Sequence, residues 1–245
     1  MLQFNTRMLT LPLSTTCTLV VMLTEQVFYT SLFVYHLLLL FYRTLYPTVV
    51  PQDVYFGGNW KYLTHCNAIL QICYFLYAGC LTVMKSESER CKRLRDTISA
   101  CLVFPLGIFV GVMFWVLYHT DKNLVYNKDH VYEESSLFNH TKHTFIMVWA
   151  VLDLCYVHHV YPTNVLGQVL SACVSLSYMV WIHVVWWMSD FWVYPLLAGL
   201  GIGGRVMFCV GVMFFYQALY NVGKIANNFL YGKGKVYYHK MDFDV

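Results

Sequence analysis

An all-α fold, a polytopic bundle of about six transmembrane helices with both termini cytosolic, is what this sequence predicts. Three observations predict it: scarce charge, evenly spaced long apolar runs, and the placement of the few basic residues. Of 245 residues, 58% are hydrophobic and 12% charged, where a soluble domain carries about 25% charged residues. So few charges cannot cover the surface of a soluble globule, and the mean hydropathy is +0.52. The same composition excludes a disordered chain, a collagen, a nucleic-acid binder and a secreted disulfide scaffold. A net charge of +3 is too small to mark an anionic polymer as partner. Nine cysteines occur, mostly singly inside apolar runs, and without any C-x-x-C pair they read as small packing residues between helices.

A membrane helix needs roughly 20 mostly apolar residues. Runs of that kind extend from Val27 to Tyr46, Trp60 to Met84, Thr97 to Tyr118, His143 to Tyr161, Val165 to Trp187 and Val206 to Gly223. Residues 1–26 read as an apolar N-terminal extension, 27–225 as the bundle and 226–245 as a short basic tail. The Met8 to Leu23 stretch follows Arg7 as a signal peptide would, but it lacks a small-residue cleavage site and reads as uncleaved. Between spans two and three, Lys85, Arg90, Lys92, Arg93 and Arg95 crowd one loop, and Lys224, Lys233, Lys235 and Lys240 follow the last span. Six spans put both basic segments on one side, which the positive-inside rule makes cytosolic. The 119–142 loop then faces the lumen or exterior. Its sequon Asn139-His140-Thr141 abuts the membrane and is not expected to carry a glycan.

Polar side chains inside spans need a reason. In span two, helical spacing sets Lys61, Thr64, Asn67 and Gln71 on one stripe. Thr64 read alone is either a structural residue, bonded to a carbonyl one turn back, or a reactive hydroxyl. Span four opens near His140 and His143, three residues apart and so on one face. It carries Asp153 ten residues beyond His143, about 15 Å deeper, too far to orient that imidazole. Asp153 is left to stay protonated, to pair with a buried histidine or to relay protons. His159 closes the span. His183 in span five is expected at the depth of Thr64 and His143, beside a cluster of tryptophans. Pro105 in span three is tolerable if another helix satisfies the carbonyl that it frees.

Several words in this chain resemble the androgen-induced gene 1 and FAR-17a-like family of membrane proteins. They are Gly58-Asn-Trp60-Lys61-Tyr62-Leu63-Thr64 with Asn67 and Gln71 following, Phe104-Pro105, Phe109-Val110 leading to Phe114-Trp115, Asn139-His140-x-x-His143-Thr144, His159-x-Tyr161-Pro162, and Trp192-Val193-Tyr194-Pro195. The resemblance runs from about Val27 to Asn227. It implies an intramembrane threonine hydrolase of fatty acid esters of hydroxy fatty acids, with a threonine nucleophile at Thr64 and a histidine base at His143. It also implies a lipid substrate drawn from the bilayer, no cofactor or metal, and residence in the endoplasmic reticulum, another endomembrane or the plasma membrane. Lys61 would then hold the substrate carboxylate, while Asn67, His140 and His183 would be donors to the oxyanion. Asp153 and His159 would support the interior or a proton route. The chain departs from the pattern at Trp186-Trp187, where some relatives have His-His, at Lys224 in place of an acidic residue, and at Asn127 in place of proline.

Two other classes fit the residues. A lipid-binding or signalling scaffold would use the polar stripe only for helix association. A histidine-cluster metalloenzyme would draw on His140, His143, His158, His159 and His183. However, His143 and His158 are about 22 Å apart on one straight helix, too far for one centre.

Overall fold

The structure is a computed structural model that describes residues 13–45, 55–85, 88–125 and 136–232. The position of Asn127 and the last three basic residues of the tail lie outside them. Among the described residues there are helices and turns but no strand. Their order is α1 (Leu13–Leu45), a 3-10 turn (Gly58–Lys61), α2 (Leu63–Val83), α3 (Glu89–Ile98), a π turn (Ser99–Val103), α4 (Phe104–Thr120), α5 (Ser136–His143), α6 (Phe145–Tyr156), α7 (Asn164–Ser189), α8 (Pro195–Ala198) and α9 (Ile202–Tyr231).

Among the described residues, five helical runs are long and apolar enough to cross a membrane. The expected fourth span is not one of them: it is the pair α5–α6, broken at Thr144. The pair nevertheless lies along the whole of the α3–α4 run. His143 stacks on Phe114 at one end, and His159, just past α6, meets Asp96 at the other. The described residues therefore make six antiparallel passages, one of them in two pieces. Tyr29 of α1 and Asn227 of α9 meet the same end of the bundle, through Asp153 and His159 respectively.

Three boundaries differ from those the sequence suggested. Helix α1 starts at Leu13 and passes without a break through Val27, so most of the expected extension is continuous with the first span. Helix α9 continues to Tyr231, beyond the expected start of the tail. Much of the basic loop is helix α3, which runs on through the π turn into α4 as the 32-residue span Glu89–Thr120. Ser88 caps α3, accepting a hydrogen bond from Cys91 N–H.

The π turn has a local cause. Pro105 cannot donate to the Cys101 carbonyl four residues back, and the extra residue of a π turn accommodates that gap. The Tyr216 hydroxyl of α9 donates to the freed carbonyl at 2.9 Å, the compensation from a neighbouring helix that a membrane proline requires. One apolar core, including Leu106, Val110, Ile182 and Tyr216, joins α2, α4, α7 and α9. Another, with Tyr29, Tyr74, Phe75 and Ala150, joins α1, α2 and α6.

Candidate active site

Helix α2 begins at Leu63 because Tyr62 is extended, with φ −91° and ψ 124°, and Tyr62 caps the helix through no side-chain bond. The cap comes from a distant helix. The Tyr178 hydroxyl of α7 accepts the Leu63 N–H at 3.0 Å and donates to the Lys61 carbonyl at 3.0 Å, while the Tyr194 hydroxyl lies 2.8 Å away. Trp181 fixes the preceding turn by donating from its indole to the Trp60 carbonyl at 3.0 Å.

This start decides the environment of Thr64. Thr44, Thr82 and Thr120 each bond back to a carbonyl three or four residues earlier in their helices. Thr64 is the second residue of its helix and has no such turn behind it; the Trp60 carbonyl is taken by Trp181 and by the Cys66 thiol. The described residues form no hydrogen bond with its hydroxyl. Thr64 is half-buried and lines a cavity of about 60 Å³ with His36, His65, Phe138, Thr141 and Lys142 among others.

Deeper on α2, the expected stripe continues through Asn67 and Gln71, both fully buried. Gln71 donates to the Ile146 carbonyl at 3.1 Å, and its own carbonyl faces His36 Nε2 at 2.9 Å. His36 Nδ1 lies 2.8 Å from the Leu32 carbonyl, so both nitrogens of this ring are occupied. Among the described residues, neither amide atom of Asn67 has a hydrogen-bond partner, and the same holds for His143 Nδ1. Because α2 and α5–α6 run in the same direction, the Gln71–Ile146 bond sets Asn67 level with Lys142 and His143, one turn nearer the helix starts. Thr64 stands a further turn out.

His143 is buried and lies flat on Phe114, with ring centroids 3.5 Å apart and an interplanar angle of 2°. Gly111 makes this approach possible: a Cβ there would lie 2.4 Å from the His143 carbonyl. The cavity wall carries Thr141 and Lys142, the two residues before His143, but not His143 itself.

The other expected residues disperse. Lys61 belongs to the 3-10 turn and so drops out of the α2 stripe. It is fully buried, its ammonium 5.1 Å from the Tyr62 ring and 5.8 Å from Phe191. His140 shares a face with His143, as spacing required, but it is exposed, tilted against Trp115, with Nδ1 2.9 Å from the Thr144 hydroxyl. Thr144 also accepts from the Trp115 indole at 3.0 Å, which fastens the α5–α6 break to α4. His183 faces the Met179 carbonyl at 2.7 Å and the edge of Trp192, and it lines neither cavity described here.

Asp153 and His159 meet at the opposite end. Asp153 accepts from the hydroxyls of Tyr29, Tyr74 and Ser99 at 3.0, 2.9 and 2.7 Å. His159 Nε2 lies 3.1 Å from Asp153, a close ion pair rather than an aligned hydrogen bond. Nδ1 lies 3.1 Å from Asp96, which also pairs with Arg95 at 2.8 Å. Of the three roles left open for Asp153, pairing with a buried histidine is the one seen. Sequence reading missed Tyr178, Tyr194, His36 and Asp96; the tyrosine of the word ending at Pro195 was the available signal for the α2 clamp. Among the described residues, no three His, Cys, Asp or Glu side chains gather as a metal would require. A second, larger cavity of about 420 Å³ lies on the other side of the α2 start, lined by Leu63, Cys66, Phe109, Tyr178 and Trp181 among others.

The family model described as FAR-17a/AIG1-like protein matches residues 17–228. The chain belongs to the FAR-17a/AIG1-like family. It is 29% identical over 198 residues to the human androgen-induced gene 1 protein, covering 76% of this chain and 83% of the relative. It is 30% identical over 188 residues to the androgen-dependent TFPI-regulating protein of Mesocricetus auratus, covering 74% and 80%. A membrane protein of Schizosaccharomyces pombe is 23% identical over 150 residues, covering 58% and 63%. No solved structure matches the chain. As a FAR-17a/AIG1-like protein with several membrane-crossing helices, it is a multi-pass membrane protein.

Proposed function

We propose that this chain is an intramembrane threonine hydrolase that cleaves the ester bond of fatty acid esters of hydroxy fatty acids, with Thr64 as nucleophile and His143 as general base. The observation that carries this reading is the state of Thr64: a cavity-lining residue on the first turn of a helix, without the back-bond that Thr44, Thr82 and Thr120 make in theirs. The positive end of the α2 dipole favours the developing alkoxide at that position. His143, on the helix that supplies the facing wall, has a buried Nδ1 without a partner among the described residues.

In this mechanism Thr64 Oγ attacks the ester carbonyl while His143, directly or through one water, takes its proton. The tetrahedral intermediate collapses, and His143 returns the proton to the departing hydroxy-fatty-acid alcohol. A water then gives a proton to His143 as its oxygen attacks the acyl carbon, and on collapse His143 passes that proton to the departing Thr64 Oγ, releasing the fatty acid and restoring the threonine. Asn67, whose amide lacks a partner, is the donor assigned to the oxyanion; His140 and His183 take no part. The basic end of the bundle is assigned to the cytosol on the positive-inside rule.

The test is ester hydrolysis by purified protein. Thr64→Ala and His143→Ala each abolish turnover while leaving expression intact, Thr64→Ser keeps some activity and Thr64→Val none. A phosphonate probe for nucleophilic hydrolases labels wild type and not Thr64→Ala. Full activity in Thr64→Ala overturns the assignment, and equal function in the Ser and Val variants points instead to a non-enzymatic lipid-binding scaffold.

A further inference from the structure

We propose that the larger cavity is a second lipid site, which holds one acyl chain of a bilayer phospholipid without cleaving it and steadies the start of α2. Its volume of about 420 Å³ lies within the range of small-ligand sites, and Thr64 does not line it. No lining residue is charged, and the back wall is apolar, formed by the buried Leu106 and Phe109 of α4 and Val212 of α9. Cys66, Ser175, Ser177, Tyr178, Trp181 and Tyr216 bring polar groups to the lining, yet each already donates to an acceptor in the protein. A charged head would find no counter-charge there and a water few open partners, so the space suits hydrocarbon.

Position names the hydrocarbon. Two exposed residues, Trp60 and Ser177, belong to the lining, so the cavity opens at the surface. Ser177 is midway along the span α7, whereas Trp60 precedes α2 and its carbonyl accepts from the Trp181 indole. The opening thus runs from the middle of the bilayer to an interface marked by tryptophan, the course of a phospholipid chain in one leaflet. A chain that turned in there would keep its headgroup at the Trp60 end. Occupancy has a consequence for α2. Leu63 and Cys66, on either side of Thr64 in the sequence, share this wall with Tyr178, whose hydroxyl caps the helix. A chain packed against them backs the clamp from the side opposite the Thr64 cavity. The effect on turnover rests on the hydrolase reading of Thr64, whereas occupancy does not.

The test uses full-length protein in nanodiscs of phosphatidylcholine doped with a phosphatidylcholine that carries a diazirine midway along one chain. Cross-links mapped by mass spectrometry form on the exposed Phe214 and Phe229, and also on the buried Phe109 and Val212, which the bilayer outside the protein does not reach. Val174→Trp drives an indole into the cavity, and Ser177→Trp blocks its exposed rim, where a substitution leaves the fold intact. Each variant loses the buried cross-links and keeps the exposed ones, which serve as the internal control. Cross-links confined to exposed residues, buried cross-links that survive both substitutions, or buried cross-links from a photoreactive sterol alone overturn the site. A second arm follows ester hydrolysis in detergent as phosphatidylcholine is added. Wild-type kcat rises with the lipid, and Val174→Trp, its cavity filled by its own side chain, ignores it. A wild-type rate indifferent to the lipid overturns the steadying role. Absence of any hydrolysis removes the hydrolase reading, while the cross-links still decide the site.

Discussion

The two ends of the α2–α6 interface treat buried polarity in opposite ways. Around Asp153, the carboxylate receives three hydroxyl protons and an imidazole, and that imidazole reaches a second carboxylate already paired with Arg95. Around Asn67 and His143, polar atoms equally withdrawn from water have no partner among the described residues. Both arrangements cost desolvation, and the first recovers more of it within the folded chain. On the proposed reading the paired end is a fastening and the unpaired end the site.

Asp153→Asn should have the largest effect on stability. It keeps the shape and removes the charge that His159 faces, and breaking a buried pair of this kind costs about 3–5 kcal/mol. A thermal unfolding scan in detergent reads this as a fall in melting temperature, with activity lost only as the fold is lost. An unchanged melting temperature would mean that the cluster does not fasten the bundle. Asn67→Leu tests the other end and has the opposite sign. Replacing an unpartnered amide by an apolar group of similar volume should hold or raise the melting temperature, while hydrolysis falls roughly 100-fold if the amide meets the oxyanion. A drop in melting temperature comparable to that of Asp153→Asn would show that Asn67 is paired after all and would erase the contrast.

How much of this was legible in the sequence follows the range of the forces involved. The membrane, the passages and the stripe Thr64, Asn67, Gln71 follow from composition and a period of 3.6, which are local. Pro105 announced its own compensation, because the carbonyl it frees is fixed by helix geometry, although the identity of Tyr216 was not readable. Asp153 was visible as a buried charge, but its partners Tyr29, Tyr74 and Ser99 lie 124, 79 and 54 residues away, and no periodicity pairs residues at such distances. The charges from Lys85 to Arg95 read as a loop because charge density normally marks one. Asp96 sits inside instead, since His159 and the Val160 N–H meet it there. Lys61 was misplaced for a related reason: the stripe assumed a helix already running at residue 61, and the helix starts at Leu63.

That start point supplies the smallest and most specific test. Tyr178 caps α2 through its hydroxyl, which bonds to Leu63 N–H and to the Lys61 carbonyl just before the helix, and Tyr194 holds the hydroxyl from behind. Tyr178→Phe removes the oxygen and leaves the ring in place. The cost in stability should be about 1 kcal/mol, that of one helix cap, a shift of a few degrees in a membrane bundle. Its effect on turnover should be out of proportion to that shift, because a cap set one residue later moves Thr64 from the first turn to the flank of the helix start and alters the direction of its hydroxyl. The signature is a lower kcat with KM unchanged, since the walls of the Thr64 cavity are untouched. Tyr194→Phe, which loses only the outer bond of the pair, should show the same signature more weakly. If Tyr178→Phe lowers stability and leaves kcat at the wild-type value, α2 is anchored at this point but Thr64 does not depend on where the helix begins.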